Sequence, residues 1–191
     1  MKEKNILITG ASQGIGAKTA EHLSAQGATV VLVARNADKL KSIQTSISGR
    51  SYIVPYDLND LGHVQTIFDF CIESGIKLNG MVYCAGVNHD IPVRNNDVGL
   101  MCETLTVNYM AFVELSKYFI KKKYSEDDGS IVAVSSLATN RISSGMSTYT
   151  SSKAALEAAV KVLAKEVIKR RIRVNAIAPA CVDTEMIDHA P

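Results

Sequence analysis

Short apolar runs alternate along the chain with longer segments in which apolar residues recur at helical spacing. The short runs are rich in Val and Ile, which predicts β-strands covered on both faces. They lie at residues 5–9, 29–33, 51–55, 80–84, 130–135 and 173–178. The longer segments predict helices at residues 15–24, 38–46, 61–74, 99–123 and 149–170.

This alternation predicts the fold class. Parallel strands joined by helical crossovers form an α/β, doubly wound parallel sheet of three layers, with helices on both faces. Six strands are present in the pattern, and no repeat, low-complexity tract or linker interrupts it. Residues 1–191 are therefore expected to form one domain.

Composition and charge exclude several classes of protein. The chain has 191 residues, 47% of them apolar, which is typical of a globular protein, and its formal net charge of +2 predicts no nucleic-acid or membrane partner. The four cysteines lack the spacing of a zinc site or a disulfide framework, so no metal is expected. Because no apolar run approaches the ~18 residues of a membrane span and the N-terminus leads directly into a strand, we expect a cytoplasmic protein.

A glycine-rich turn joins the first strand to the first helix. Residues 9–16 read T-G-A-S-Q-G-I-G, with glycines at positions 10, 14 and 16. Glycines at such a turn let backbone N–H groups approach a pyrophosphate at the positive end of the helix. The turn therefore predicts the phosphate site of a dinucleotide-binding (Rossmann) domain, and a purely structural turn is the alternative.

The same turn also matches a second motif. Gly10, Ser12 and Gly14 satisfy G-x-S-x-G, in which Ser12 would be the nucleophile of an α/β-hydrolase. That chemistry requires an acid and a histidine later in the chain, and only His89 and His189 follow at useful distances. The motif leaves the third glycine unexplained, so a serine hydrolase is kept only as an alternative.

The segment after the second strand bears on the choice of cofactor. An NAD site places a carboxylate on the ribose 2′-hydroxyl ~20 residues past the glycines, but Arg35 stands there instead. A guanidinium suits a 2′-phosphate through charge-assisted hydrogen bonds. The sequence thus favours NADP(H) over NAD(H), unless Arg35 is only a solvated loop charge.

Two tyrosines are each followed four residues later by a lysine, a spacing that places both side chains on one helix face. The pairs are Tyr149 with Lys153 and Tyr118 with Lys122. Tyr149 begins a predicted helix just after the fifth strand, which ends at Ser136, whereas Tyr118 lies inside an amphipathic helix. We therefore assign chemistry to Tyr149 and a structural role to Tyr118.

Ser136, Tyr149 and Lys153 match a proton-transfer reaction. Reduction of a ketone by hydride generates an alkoxide, which a positioned acid must protonate as it forms. A lysine ammonium beside Tyr149 is expected to lower the phenol pKa from its usual ~10. A serine hydroxyl can hold the substrate oxygen in place.

The glycine turn and the Y-x-x-x-K pair, with Ser136 upstream, resemble the marks of the classical short-chain dehydrogenase/reductase family over the whole chain. The resemblance implies an NADP(H)-dependent oxidoreductase that interconverts a carbonyl and a secondary alcohol, including the 3-oxoacyl-[acyl-carrier-protein] reductases with their carrier-bound substrates. Lys153 would also bind the nicotinamide ribose, and Asn108 would support a proton relay. An NADP-binding sensor without catalysis is the second alternative.

The resemblance also assigns cofactor contacts after the third, fourth and sixth strands, although Cys84, Arg171 and Ala180 depart from the usual family residues. The predicted cofactor-binding residues are Gly10, Ser12, Gln13, Gly14, Ile15, Gly16, Arg35, Asp57, Leu58, Ala85, Gly86, Asn108, Tyr149, Lys153, Pro179, Val182 and Thr184. The predicted catalytic residues are Asn108, Ser136, Tyr149 and Lys153.

Family members usually continue through a substrate lid and a seventh strand, which this chain is expected to lack. The segments 87–94 and 138–146 are expected to line the substrate side of the site. The resemblance further implies a homo-oligomer, a dimer or a tetramer, formed through the helices at 99–123 and 149–170. A small carbonyl or alcohol compound would be the partner.

Overall fold

The computed structural model describes residues 1–184, and within them the sheet has six strands. The strands are β1 (Asn5–Thr9), β2 (Thr29–Ala34), β3 (Ser51–Pro55), β4 (Leu78–Tyr83), β5 (Ser125–Val134) and β6 (Arg173–Ile177). The helices are α1 (Gly14–Ala25), α2 (Ala37–Ser46), α3 (Gln65–Glu73), α4 (Val98–Leu105), α5 (Ala111–Phe119) and α6 (Ser147–Glu166). Short 3₁₀ turns lie at Val93–Asn95, Leu137–Thr139 and Ile168–Arg170.

All neighbouring strands are parallel, in the order β3-β2-β1-β4-β5-β6. The predicted doubly wound fold is therefore confirmed. The direction of winding reverses between β1 and β4, which pair side by side. In folds of this kind, ligands bind in the crevice at the carboxyl ends of the strands at such a reversal.

The core lies on both faces of the sheet. Leu7 and Val31 point toward a cluster that includes buried side chains of α3, α5 and α6. Ile8 and Leu32, their neighbours in sequence, point to the opposite cluster with side chains of α1 and α2. Because successive residues of a strand face opposite sides, only apolar runs can cover both faces with core.

The helix predicted at residues 99–123 differs from the structure in two respects. A π-helical turn at Thr106–Met110 separates α4 from α5, and α5 ends at Phe119. Beyond that end the chain turns inward, and Tyr124 is buried with its ring 5.4 Å from the ring of Phe68. A continued helix would not carry Tyr124 to this position in the core.

The carbonyl groups at the end of α5 and just beyond it accept hydrogen bonds from side chains later in the chain. The Ser125 hydroxyl donates to the carbonyl of Phe119, and the Arg170 guanidinium donates to the carbonyl of Ile120 at 2.7 Å. These contacts satisfy groups that every helix end leaves open. Lys122 therefore lies outside the helix that holds Tyr118.

Other boundaries shift by smaller amounts. The helix predicted at 61–74 begins at Gln65, and the helix predicted at 149–170 spans Ser147–Glu166 before its final 3₁₀ turn. The strand predicted at 80–84 spans Leu78–Tyr83, and the strand predicted at 130–135 begins at Ser125. The pairing of β4 with β5 is irregular between Leu78 and Gly80, opposite Ser125 and Ser130. The exposed polar segment at 126–128 hides the start of β5 from an apolar pattern.

In the part of the chain covered by residues 1–184, no helix combines the length and the apolar character needed to cross a bilayer.

Candidate active site

A cavity of about 920 Å³ opens at the carboxyl ends of β1, β4 and β5. It extends from the glycine turn after β1 to the N-terminal part of α6. The cavity is lined by every predicted cofactor and catalytic residue except Asn108, that is by Gly10, Ser12, Gln13, Gly14, Ile15, Gly16, Arg35, Asp57, Leu58, Ala85, Gly86, Ser136, Tyr149, Lys153, Pro179, Val182 and Thr184. The topology therefore brings together residues that are far apart in sequence.

The glycine turn is packed too tightly for side chains. Gly10 has a φ of +63°, and a Cβ on it would lie 2.8 Å from the backbone nitrogen of Ala85. A Cβ on Gly16 would lie 2.2 Å from the carbonyl oxygen of Gly10. Both distances are shorter than real Cβ atoms tolerate, so glycine is required for the backbone of β1, α1 and the end of β4 to meet.

The first turn of α1 opens toward this cavity. Gln13 is its N-cap residue, but its side chain makes no capping hydrogen bond, and no acidic residue lies in the first turn of this described helix. The N–H groups of a helix start need acceptors, and a phosphate can supply them. The turn and the helix start thus fit the pyrophosphate of a dinucleotide.

Cationic side chains line the cavity next to the end of β2. Arg35 is exposed there, and Lys39, in the first turn of α2, lines the same wall. The Lys39 ammonium donates to Oε1 of Gln13 at 2.8 Å, which links the starts of α1 and α2. Lys39 is not among the cofactor residues predicted from the sequence, although its place four residues after Arg35, on a predicted helix, is a signal for it.

The ends of β3 and β4 form the wall beyond these cations. Leu58 is buried, whereas Asp57 is exposed and its Oδ1 accepts a hydrogen bond from the backbone of Asn59 at 3.0 Å. At the end of β4, the Ala85 backbone donates to the Thr9 hydroxyl at 3.2 Å. This bond ties β1 to β4 where the two strands diverge.

Ser136 and Tyr149 meet at the far end of the cavity. Ser136 lies two residues after the end of β5 and caps the 3₁₀ turn Leu137–Thr139, where its hydroxyl accepts from the Ala138 backbone at 3.2 Å. Tyr149 lies in the first turn of α6 with 9% of its surface exposed. The nearby Ser136 hydroxyl by itself lowers the pKa of the Tyr149 phenol.

Lys153 lies one helical turn after Tyr149 and is almost fully buried, with 3% of its surface exposed. Its ammonium donates to the carbonyl of Val134 at 2.8 Å and lies 5.8 Å from the centre of the Tyr149 ring. Burial lowers the pKa of Lys153 to about 8. A buried lysine loses solvation in its charged form, which explains the direction of the change.

The expectation that Lys153 lowers the pKa of Tyr149 is not met in this structure. Burial raises the phenol pKa, and the carboxylate of Asp90 adds to the rise, against the smaller effect of Ser136. The Lys153 ammonium is directed at the Val134 carbonyl and is not among the causes. Tyr149 therefore holds its proton more firmly than a free tyrosine.

Asn108 supports the site from behind the cavity wall. It lies in the π-helical turn, fully buried, and its Oδ1 accepts from the Val87 backbone at 2.8 Å. Its Nδ2 donates to the Val87 carbonyl and to the Ser152 hydroxyl, each at 2.9 Å. The Asn108 side chain thus joins the segment after β4 to α6, and its predicted role in a proton relay stays a prediction.

The predicted substrate side contributes several side chains to the cavity wall. Asn88 and Asp90 come from the segment after β4, and the Asn88 amide donates to the Asp90 carboxylate at 3.0 Å. Arg141, Ser143 and Met146 come from the segment after β5. This wall mixes both signs of charge with apolar surface, so it does not identify one substrate.

The hydrolase alternative requires a histidine near Ser12. Ser12 lines the cavity, but no histidine of residues 1–184 lines it. The Nε2 atom of His89 lies 3.4 Å from the carboxylate of Glu103, on α4. His189 lies outside the described residues.

Fold and site together define the class of this protein. A doubly wound sheet with a glycine turn, and a serine, a tyrosine and a lysine around one crevice, make a dinucleotide-binding oxidoreductase fold. A family model described as short chain dehydrogenase matches residues 4–190. The chain belongs to the short-chain dehydrogenase family, as its resemblance predicted.

Individual relatives agree with this membership. The chain is 30% identical to a 3-oxoacyl-[acyl-carrier-protein] reductase of Bos taurus, with 96% of this chain and 78% of the relative covered. It is 31% identical to a fatty acyl-CoA reductase of Acinetobacter baylyi, with 98% of this chain and 65% of the relative covered. A crystal structure of a short chain dehydrogenase from Burkholderia cenocepacia in complex with NADP has a TM-score of 0.92 at 30% identity and covers 99% of this chain and 79% of that one.

Proposed function

We propose that this chain is an NADP(H)-dependent oxidoreductase that interconverts a carbonyl group and a secondary alcohol by hydride transfer. The observation that carries the proposal is that Ser136, Tyr149 and Lys153 line the same cavity as the glycine turn. A single crevice can then hold the cofactor at one end and present an acid to a substrate oxygen at the other. NADP(H), when bound, supplies or accepts the hydride.

The residues of the chain provide the proton and the orientation. In the direction of reduction, the Tyr149 phenol gives its proton to the developing alkoxide, and the raised pKa of Tyr149 keeps that proton available at neutral pH. The Ser136 hydroxyl holds the substrate oxygen beside the phenol. The Lys153 ammonium binds the nicotinamide ribose. Asn108 holds the backbone of Val87, after the fourth strand, against Ser152 on α6.

Replacement of Tyr149 by Phe tests the acid/base role. We expect Tyr149→Phe to keep NADPH binding and to lose carbonyl reduction by about 10² to 10⁴-fold, the usual contribution of a positioned acid. NADPH oxidation at 340 nm with acyl, sugar, steroid and polyol ketones measures the loss. Tyr118→Phe is the matched control and should keep wild-type turnover.

Three results separate the alternatives. Unchanged turnover in Tyr149→Phe would remove Tyr149 from the mechanism. Binding of NADPH by the wild-type chain without reduction of any ketone would favour the non-catalytic sensor. Labelling of Ser12 by a fluorophosphonate would favour the hydrolase.

Two positively charged side chains support the preference for NADP(H) over NAD(H). Arg35 and Lys39 line the wall at the end of β2, where an NAD site would have a carboxylate. Two cations at this position suit the 2′-phosphate of NADP(H), because charge-assisted hydrogen bonds to phosphate are strong. A neighbour solved in complex with NADP also supports this choice.

Replacement of Arg35 tests that preference. We expect Arg35→Ala to weaken NADPH binding about 10- to 100-fold, because it removes charge-assisted bonds to one phosphate, and to leave NADH binding unchanged. Lys41→Ala, which removes an exposed cation from α2 just after Arg35, is the control. Equal losses for NADPH and NADH would contradict a 2′-phosphate contact.

The substrate class is open within this reaction. The two relatives are named for acyl substrates on different carriers, so acyl ketones are the first group to assay. Docking of an acidic carrier at residues 121–128 is not supported by the carboxylates at the start of β5, each of which pairs with a nearby cation. Those ion pairs are Lys77 with Glu126, Arg170 with Asp127 and Arg171 with Asp128.

Assembly and location stay predictions. Exposed apolar side chains on the helices at 98–119 support a homo-oligomer, and they are Val98, Met101, Met110 and Val113. A second copy of the chain is the proposed occupant of this surface. The cytoplasmic location is an expectation from the sequence alone.

A further inference from the structure

We propose that Glu157 is a positioning residue for the serine of the active site, a role that rests on the function proposed above. Glu157 lies on α6, one helical turn after Lys153 and two turns after Tyr149, so the three side chains share one face of the helix. Nothing in the sequence pattern distinguishes Glu157 from a surface carboxylate. Its hydrogen bonds in the structure do distinguish it.

The three polar side chains of this face contact three consecutive residues at the end of the fifth strand. The Lys153 ammonium donates to the carbonyl of Val134 at 2.8 Å. The Glu157 carboxylate accepts from the hydroxyl of Ser135 at 2.6 Å. The next residue in the chain is Ser136, whose hydroxyl interacts with the Tyr149 phenol and lowers its pKa.

The same oxygen of Glu157 also contacts Thr139, three residues after Ser136. The Thr139 hydroxyl lies 3.1 Å from Oε1 of Glu157 and 3.0 Å from the carbonyl oxygen of Ser136, so its single hydrogen is shared between the two. The Thr139 backbone donates to the same carbonyl at 3.2 Å. One oxygen of Glu157 therefore holds the residue before Ser136 and the last residue of its 3₁₀ turn.

The partial burial and the hydrogen bonds of Glu157 fit a residue that positions Ser136 better than a residue of the apolar core. The side chain is half-buried, Ser135 is 3% exposed, and within residues 1–184 no cation forms an ion pair with Glu157. A carboxylate that is partly removed from water needs hydrogen-bond donors, and these two hydroxyls supply them. The orientation of the Ser136 hydroxyl then depends on a contact made from α6.

Three variants test the proposal. Glu157→Ala removes both contacts, Glu157→Gln keeps an oxygen that can accept two hydrogen bonds, and Glu166→Ala makes the same truncation at the exposed end of the helix. Amide hydrogen exchange of residues 136–141 reports on the turn without requiring turnover. NADPH oxidation with ethyl acetoacetate as the probe ketone reports on catalysis, and NADPH titration reports on folding and on the cofactor site.

We expect Glu157→Ala to raise exchange in the turn at least about 10-fold and to lower kcat about 10- to 100-fold, since a small misplacement of a catalytic group costs that much. The Kd for NADPH should stay within about twofold, because the phosphate and adenine walls are untouched. Glu157→Gln should restore exchange and kcat to within about threefold of wild type, and Glu166→Ala should resemble wild type.

Unchanged exchange in Glu157→Ala would overturn the proposal, and so would raised exchange with an unchanged kcat. Loss of kcat in Glu157→Gln equal to that in Glu157→Ala would also overturn it, because geometry would then not explain the effect. If the wild-type chain turns over no ketone, the proposed function fails. Raised exchange in Glu157→Ala would still support the contact that holds the turn.

Discussion

Two regions of this molecule carry a tyrosine followed four residues later by a lysine, and their surroundings are opposite. In one region, Tyr149 and Lys153 lie on one face of α6, both buried, at the end of a cavity. In the other, Tyr118 is half-buried near the end of α5, and Lys122 is exposed beyond that end. The spacing is the same, but only the first pair is held on a continuous helix.

The partners of the two tyrosines differ in kind. Tyr149 interacts with the hydroxyl of Ser136, and the lysine of its pair donates to a strand carbonyl. Tyr118 stacks on Phe68 with ring centroids 5.7 Å apart, and the Lys121 ammonium lies 4.4 Å above its ring. The Tyr118 region is a packing contact between α3 and α5 with a surface cation on it.

This difference teaches that the spacing of two side chains indicates chemistry only when the ends of secondary-structure elements place them at a ligand crevice. Tyr149 starts a helix that faces the carboxyl ends of the strands. Tyr118 ends a helix whose final carbonyl groups are bound by other parts of the chain. Neither Tyr118 nor Lys122 lines the cavity at the carboxyl ends of the strands.

The largest difference between the pairs is expected from removal of each lysine. Lys153→Met should lower kcat/KM for ketone reduction about 10² to 10³-fold, because it removes the ammonium that we propose to bind the ribose beside Tyr149, the proposed acid. Lys122→Met should leave kcat/KM within about twofold of wild type, because its ammonium is exposed and outside the cavity. Initial rates of NADPH oxidation measure both variants.

A smaller loss in Lys153→Met than in Lys122→Met would reverse the assignment of the two pairs. Equal and large losses would indicate a general loss of folding, which far-ultraviolet circular dichroism detects. The chain has no Trp, so circular dichroism is preferable to intrinsic fluorescence for this control.

The features that can be predicted from the sequence are those that depend on residues close together in the chain. Gly10 and Gly16 are required where backbones meet, and the apolar runs are required where strands are covered on both faces. Ser136, Tyr149 and Lys153 follow from the proton that carbonyl reduction needs. Each of these signals lies within a few residues of the element end that explains it.

The features that sequence reasoning missed depend on contacts between distant segments. Glu157 acts on a turn 18 residues earlier, and Arg170 binds the end of a helix 50 residues earlier. The pKa of Tyr149 depends on burial and on Asp90, which belongs to another loop. Residue spacing and composition give no information on such contacts. The sequence therefore predicts the wrong direction for the change in the pKa of Tyr149.

The smallest expected difference between the pairs is in the pH dependence of stability. Lys153 has a pKa of about 8 in the folded chain, against an ordinary value of 10.5. At pH 7 it is charged in both the folded and the unfolded states, so folding carries the full cost of burying the charge. Between pH 8 and 10.5 the folded chain releases this proton while the unfolded chain retains it, so the free energy of unfolding rises with pH.

We therefore expect the free energy of unfolding of the wild-type chain to rise by about 2 kcal/mol from pH 7.5 to 9.5, relative to that of Lys153→Met. The window stops below pH 10 because Tyr149, whose pKa is raised on folding, acts in the opposite direction as unfolded tyrosines ionise. Urea unfolding followed by circular dichroism at several pH values measures the slope. Lys122→Met should keep the wild-type slope, and a Lys153→Met chain with that same slope would show that Lys153 is not the group that loses its proton.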